Sequence, residues 1–295
     1  MTTLTYPAGA PSVSGTTLTV DRALKNPTFL AKRIVPPNTQ FLSDLLFRPG
    51  VTDSGAVIYA EGSIDNIYPA RGDAQQIEPG GAYPMVDVDD VADKVELSKK
   101  FGAGYYVYDE AKMRNNFDPI AKGNLKVRNA LMRQDAARLL AAFDAKVPSV
   151  NSVGAWTTSK IWKTDLLQGL NSIKGLQLGF TPDTVVISPN TETTLLLLDD
   201  LQNWAPKENA NLNPLYNPSL SGLLGLNWVV NEFASDDKAI LLQTKVTGVN
   251  VTERALTVEV VREGTRGRNV VLADRFGVPV IDEPGSALVI NGIGS

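Results

Sequence analysis

The 295-residue chain contains no cysteine and no histidine. The first absence excludes disulfide scaffolds, thiolate nucleophiles and cysteine-ligated zinc. The second excludes Ser-His-Asp triads, His-carboxylate metal sites and the usual proton shuttle near neutral pH. Any catalysis would have to run on carboxylates, lysines, tyrosines or backbone dipoles. Aromatic residues make up only 7%, low for a sugar-binding cleft. No single charge sign dominates: 28 basic against 32 acidic side chains leave a formal net charge of −4, which indicates neither a nucleic-acid condenser nor a polybasic membrane binder. No apolar run approaches the roughly 18 residues of a membrane helix, since the densest, Leu195 to Leu198, is closed by Asp199 and Asp200. The first twenty residues hold no Lys or Arg and no apolar h-region, so no secretory signal is supported and synthesis in a cytosol is expected.

Motifs that carry chemistry are also missing. The dipeptide Gly-Lys never occurs, which removes a Walker A loop, and Gly102-Ala103-Gly104 lacks the third glycine of a dinucleotide loop before running into the strand-like Tyr105-Tyr106-Val107. Asp87, Asp89, Asp90 and Asp93 have a faint calcium-loop spacing. However, the sixth position from Asp87 is Ala92, where the sharp turn needs Gly, and the twelfth is Ser98 instead of a bidentate acid. A solvated strand face is the better reading. Carboxylate pairs suited to glycoside hydrolysis are always available among 32 acids, so their number has no specificity. Trp156, Trp162, Trp204 and Trp228 sit beside predicted elements and read as packing anchors. No catalytic residue, cofactor site or metal site is expected.

What is present is an ordered series of pieces. Residues 1 to about 50 are rich in Thr, Pro, Ser and Gly, with apolar residues scattered until Phe29-Leu30 and the stretch Phe41 to Phe47. Such a composition buries too little surface to stay folded alone. The expectation is that something outside the segment holds it, with packing along its own domain as the plainer alternative. From Val51 to about Val107 the pattern turns β-like. Val57-Ile58-Tyr59 and Ile67-Tyr68 precede a polar stretch, Arg71 to Gly81, and Val86, Val88, Val95 and Leu97 alternate with polar residues after it. This reads as one long hairpin. Arms of about 15 to 20 residues reach on the order of 50 to 65 Å, against a radius of gyration of roughly 19 Å for a compact domain of this length. An isolated ribbon is marginal in water, so the hairpin is expected to lie on another molecule.

The strongest helix signal follows, with Asp118 as N-cap, Pro119 at the first position and Val147-Pro148 as the stop. Leu125, Met132, Ala136, Leu139, Leu140 and Phe143 fall on one predicted apolar face, and Gly123 weakens the first turn. Residues 150 to 250 alternate helix and strand: a helix from Thr164 to Leu176, a buried strand Thr184 to Ile187, a helix capped by Asn190, and strands Leu226 to Val230 and Ala239 to Leu242. A strand pair, Ala255 to Val261 and Val270 to Phe276, is expected to pack on the long helix, followed by a last strand, Ala287 to Ile290. The middle α/β unit is thus inserted into a helix-plus-sheet unit.

This order is joined by local sequences: Thr181-Pro-Asp-Thr-Val-Val-Ile-Ser-Pro-Asn190, Leu223-Leu-Gly-Leu-Asn-Trp-Val-Val230, Arg254-Ala-Leu-Thr-Val-Glu-Val-Val261, Asp274-Arg-Phe-Gly-Val-Pro-Val-Ile281 and Ala287-Leu-Val-Ile-Asn-Gly292. Together they resemble the major capsid protein of tailed bacteriophages, with its α+β Hong Kong 97-type fold, over nearly the whole chain. The resemblance implies an N-terminal arm over 1–50, an extended loop over 51–98, a peripheral domain with a spine helix over 99–150, an axial domain over 151–251 and peripheral return strands over 252–295. It implies self-assembly as hexamers and pentamers into an icosahedral shell around double-stranded DNA. The place of action would be the virion capsid, assembled in the bacterial host cytoplasm, with no cofactor, no turnover and no membrane. A separate scaffolding protein, a portal and a decoration protein are the further partners it brings in.

Some members weld the shell through a lysine of the extended loop. Residues 51–93 contain no lysine here, the nearest being Lys94, so a noncovalent shell is expected. The chain begins at Met1, and no large cleaved pro-segment is expected. Arg71, Asp73 and Glu78 at the hairpin tip are intersubunit contact candidates, as are Arg262, Arg266 and Arg268 between the tail strands. The plain reading of both groups is a solvated turn, and the second lies near Glu253 and Glu263. The charge balance implies an inner surface that does not adhere strongly to phosphate. Two other readings stay open: an encapsulin-type compartment on the same fold, and a monomeric carboxylate-dependent hydrolase with a concave acidic cleft.

Overall fold

The computed structural model describes residues 19–35, 41–62, 74–85, 93–158, 160–198, 220 and 222–294. In chain order these form α1 (Val20–Leu24), α2 (Pro27–Ile34), α3 (Leu42–Leu46), β1 (Arg48–Val51), β2 (Ala56–Tyr59), β3 (Lys94–Leu97) and β4 (Lys99–Tyr108). Next come α4 (Asp109–Met113), α5 (Asp118–Lys146), β5 (Ser149–Asn151), α6 (Ile161–Gly175), β6 (Thr184–Ile187) and α7 (Pro189–Leu196). The chain closes with β7 (Asn227–Val230), β8 (Lys238–Leu242), β9 (Gly248–Glu263), β10 (Arg268–Ile281) and β11 (Ala287–Asn291).

The front of the chain corrects an expectation. Residues 20–34 and 41–47 are held by their own chain. Val20, Ala23, Leu30 and Ile34 are buried with Ile120, Val127 and Leu131 of α5, while Leu42, Leu46 and Phe47 are buried with Ala136, Leu139 and Phe143. Average composition over fifty residues concealed two capped helices. Thr19 Oγ1 accepts from Arg22 N, and Asn26 Oδ1 accepts from Phe29 N just ahead of Pro27. Those caps were the legible signal.

α5 has 29 residues, or about 44 Å at 1.5 Å per residue. Its expected extent holds, with one change at the start: Asn116 Oδ1 accepts from the Asp118 N–H at 3.0 Å, so Asn116 supplies the side-chain cap. The single apolar face is also corrected. Ile120, Val127 and Leu131 pack on the first sheet with Val107, Val258, Val271 and Ala273. Further along, Ala136, Leu139 and Phe143 pack on the second with Val186, Ile240, Leu242 and Val289. One helix meets two sheets, so its apolar stripe turns along its length and Leu125 is left half-exposed. Gly123 is explained by the same packing. A Cβ there would lie 2.4 Å from the ring of Tyr105, so glycine permits β4 to approach the helix.

The first sheet has the order β1-β9-β10-β4, with β1 parallel to β9 and the rest antiparallel. The second has the order β5-β11-β8-β6-β7. Its strands bury alternate residues on both faces: Val185, Ile187, Leu241, Leu288 and Ile290 meet Trp156, Trp162 and Leu166, and Val186, Ile240, Leu242, Ala287 and Val289 meet α3 and α5. Here the expected grouping of residues 252–295 is corrected. The β9–β10 pair packs on α5 as foreseen, but β11 crosses into the second sheet between β5 and β8. Its run Ala287-Leu288-Val289-Ile290 is buried throughout, and only a central strand covered on both faces offers that environment. Ser188, not Asn190, caps α7 by accepting from Thr191 N at 3.2 Å.

Candidate assembly interface

β2 and β3 form a separate antiparallel ribbon with Ala56 opposite Leu97, Val57 opposite Glu96, Ile58 opposite Val95 and Tyr59 opposite Lys94. Residues opposite each other point to the same face, and successive residues alternate. One face therefore carries Val57, Tyr59, Lys94 and Glu96, and the other Ala56, Ile58, Val95 and Leu97.

The structure turns this ribbon the unexpected way. Val57 and Tyr59 pack on Val251, Val278 and Val280 of the first sheet. Beside them Lys146 at the end of α5 donates to Glu96 Oε1 at 2.6 Å and Tyr59 Oη at 2.7 Å. Burial pulls the Lys146 ammonium down, but these two partners outweigh it and hold it above its ordinary value. Lys94 pairs with Glu61. The ion-paired face is thus the one turned to the body, and the apolar face is bare: Ile58 is 68% exposed, Val95 59% and Leu97 61%. Val51, Tyr83 and Met85 in the same part of the chain are exposed as well. The loop base is held by Gly62 N donating to the Asp282 carbonyl at 2.7 Å and by the Arg48–Asp282 ion pair. Burial raises the carboxyls of Asp282 and Glu283 above their ordinary values.

The residues singled out from the sequence divide into three groups. Arg71 and Asp73 lie outside the described residues, as do Ile67, Tyr68, Val86, Val88, Asp87, Asp89, Asp90 and Trp204. Glu78 is described and exposed, in a turn closed by Gly81 N donating to its carbonyl at 2.8 Å. The three arginines stand near the β9–β10 turn. Arg262 donates to both oxygens of Asp109, one at 2.6 Å, and this contact holds the Asp109 carboxyl below its ordinary value. Arg268 donates to Glu263 at 2.6 Å and lies 3.6 Å from the centre of the Tyr106 ring. Arg266 is exposed in the turn itself. Alternation alone does not say which face of a ribbon is covered, so nothing in the sequence separates the bare Ile58, Val95 and Leu97 from the packed Val57 and Tyr59. Trp156 and Trp162 are buried anchors, with Trp156 Nε1 donating to Asp165 at 2.9 Å. Among the described residues no group of acids could hold a metal ion, and no helix is long and apolar enough to cross a membrane.

A protein-family model described as phage capsid protein matches residues 92–289. The chain belongs to that family. It is a structural major capsid protein, and its α+β arrangement is the Hong Kong 97-type capsid fold expected from the sequence. Solved structures agree at the level of fold. The capsid of cyanophage P-SCSP1u superposes with a TM-score of 0.66 at 12% identity, over 87% of this chain and 89% of that one. A virus-like particle from Pyrococcus furiosus gives 0.62 at 12%, over 91% and 98%. Mycobacterium phage Che8 gives 0.58 at 13%, over 97% and 98%. No curated protein matches the chain. Sequence identity this low leaves the ordering of elements as what the capsid proteins share.

Proposed function

We propose that this capsid protein assembles with copies of itself as hexamers and pentamers into a closed icosahedral shell around the double-stranded DNA of a tailed bacteriophage. The observation that carries the reading is the inverted ribbon. Its charged face is satisfied within the chain and its apolar face, Ile58, Val95 and Leu97, is exposed. An apolar strand face left to water is costly for a lone molecule and complementary to a neighbour. In this scheme residues 51–98 serve as the extended loop, 1–50 as the arm, 99–150 with most of 252–295 as the peripheral domain, and 151–251 with Ala287–Asn291 as the axial domain. Glu78 and Arg266 supply charge at subunit borders. Arg71 and Asp73 are assigned the same role, and Arg262 and Arg268 act through the turn they brace. The shell is noncovalent and non-enzymatic. Scaffolding, portal and decoration proteins join it as separate chains, and the capsid is built in the host cytoplasm.

The test is electron cryomicroscopy of the expressed full chain, paired with denaturing gels. Closed particles of hexamers and pentamers that dissolve to single-chain bands are expected. A chain that stays monomeric under all assembly conditions would overturn the shell, and ladders of linked subunits would overturn its noncovalent character.

A further inference from the structure

The exposed side of the first half of α5 carries one sign of charge. Lys122, Lys126, Asn129 and Arg133 follow at helical spacing, within about 60° of arc at 100° per residue, and span about 16 Å along the axis. Asp118 and Asp144 stand at the two ends of this stripe, and Asp144 is paired with Lys238. Between them the only helix carboxylate is Asp135, which is buried and accepts from Ser43. None of the three cations is within 4.0 Å of a carboxylate among the described residues, a state they share with Lys174 and Lys245 elsewhere, so what sets them apart is their alignment on one helix face. The stripe borders a cleft of about 900 Å³ between α5, α3 and the end of β7, to which Lys126, Asn129 and Arg133 contribute together with Arg128. Among the described residues Glu232 is the one acid on its lining.

We propose that this stripe is the surface through which the protein touches the phosphate backbone of double-stranded DNA, without regard to base sequence. The inference rests on the capsid reading and adds residues to it. Unpaired cations a turn apart match the spacing of a polyanion, and each phosphate neutralised releases a condensed counterion. Among the described residues Phe233 is the one aromatic lining the cleft, short of the repeated stacking platforms that single strands require. A net charge of −4 keeps the contact weak overall, which suits DNA that must enter and leave.

The experiment is fluorescence anisotropy of the purified full-length chain with a labelled 30-base-pair duplex across a salt series, with electron microscopy of assembled particles in parallel. Lys122→Gln with Lys126→Gln should lower the slope of log affinity against log salt by about 1.8, and adding Arg133→Gln by about 2.7 in total. The charge-matched control, Lys174→Gln with Lys245→Gln, should bind as the parent does, and a duplex of different sequence should bind equally. Stripe variants that bind with the parent's slope overturn the proposal. So does poly-glutamate displacing the duplex at equal charge concentration, which would assign the stripe to an acidic polypeptide. Particles that form normally while binding is unchanged sink the stripe and leave the shell standing. A salt slope that falls as stated in a chain that never forms particles sinks the shell and leaves the stripe standing.

Discussion

Ser43 grips Asp135 with two donors: its N–H reaches Oδ2 at 3.1 Å and its hydroxyl reaches Oδ1 at 2.7 Å, with both residues buried. Asn250 on β9 donates to the same hydroxyl at 3.0 Å. Helix α3, the long helix and the first sheet thus meet at one carboxylate. Burial holds that carboxyl above its ordinary value, while the Ser43 bonds draw it back down.

Asp135→Ala leaves two buried donors of Ser43 without acceptors and should cost about 2–4 kcal/mol. Ser43→Ala keeps the backbone bond and should cost about 1 kcal/mol. Urea unfolding of both variants checks the ranking, and an Asp135→Ala protein as stable as the parent would contradict it.

Gly123→Ala reverses the usual sign. In an exposed helix the change stabilises by about 1 kcal/mol. Here the new methyl group would lie 2.4 Å from the Tyr105 ring, and overpacking should destabilise by about 1–3 kcal/mol. Tyr105 also donates to Asn124 at 2.8 Å, so the ring cannot retreat freely. Thermal unfolding of the variant reads the sign directly.

Glu283 has its carboxyl raised chiefly by burial and next by the charge of Asp282. A raised acid binds its proton more tightly in the folded state. Its contribution is therefore complete below the unfolded value and lost as pH rises through the folded one. Glu283→Gln should gain stability relative to the parent as pH is raised from about 4 to about 7. Asp274 runs the other way: burial raises it, but the hydrogen bonds from Lys100 and Arg254 prevail and hold it low, so its contribution is lost as pH falls. Asp274→Asn should be most destabilising relative to the parent at neutral pH. Urea titrations at several pH values separate the two, and parallel pH profiles for parent and Glu283→Gln would refute the first.

Ile58→Glu and Val95→Glu place charge on the bare ribbon face. Exposed substitutions of this kind change monomer stability by about 0.5 kcal/mol or less, yet particle yield should collapse. Val57→Glu, on the face packed against Val251 and Val280, should instead unfold the loop base. Size-exclusion chromatography with circular dichroism distinguishes lost assembly from lost fold. Full particle yield from Ile58→Glu would remove the ribbon from the interface.

Some of this molecule was readable from residue order. The extent of α5, the strands β6 and β8, the middle of β9 and of β10, and the order that identifies the capsid fold follow from hydrophobic period, breaker residues and the Val147-Pro148 stop, while β9 (Gly248–Glu263) and β10 (Arg268–Ile281) run well beyond the expected 255–261 and 270–276. The missing imidazoles and thiols exclude imidazole and thiolate chemistry in the same way. α1 and α2 were hidden by averaging over a polar segment, although Thr19 and Asn26-Pro27 marked their starts. Glu263 stands close to Arg268 in the sequence itself, but Asp109 becomes the neighbour of Arg262 only when β4, β9 and β10 align.

Local preference establishes which stretches coil and which extend, because backbone sterics, caps and turns act between residues a few positions apart. Which side of an element is covered depends on partners distant in the chain. Lys146 draws Glu96 inward and so leaves Val95 and Leu97 outside. β11 leaves the neighbouring pair for the middle of another sheet because its side chains need cover on both faces. The alternation Lys94-Val95-Glu96-Leu97 is the same in either orientation, and long-range packing chose the one that bares an apolar face.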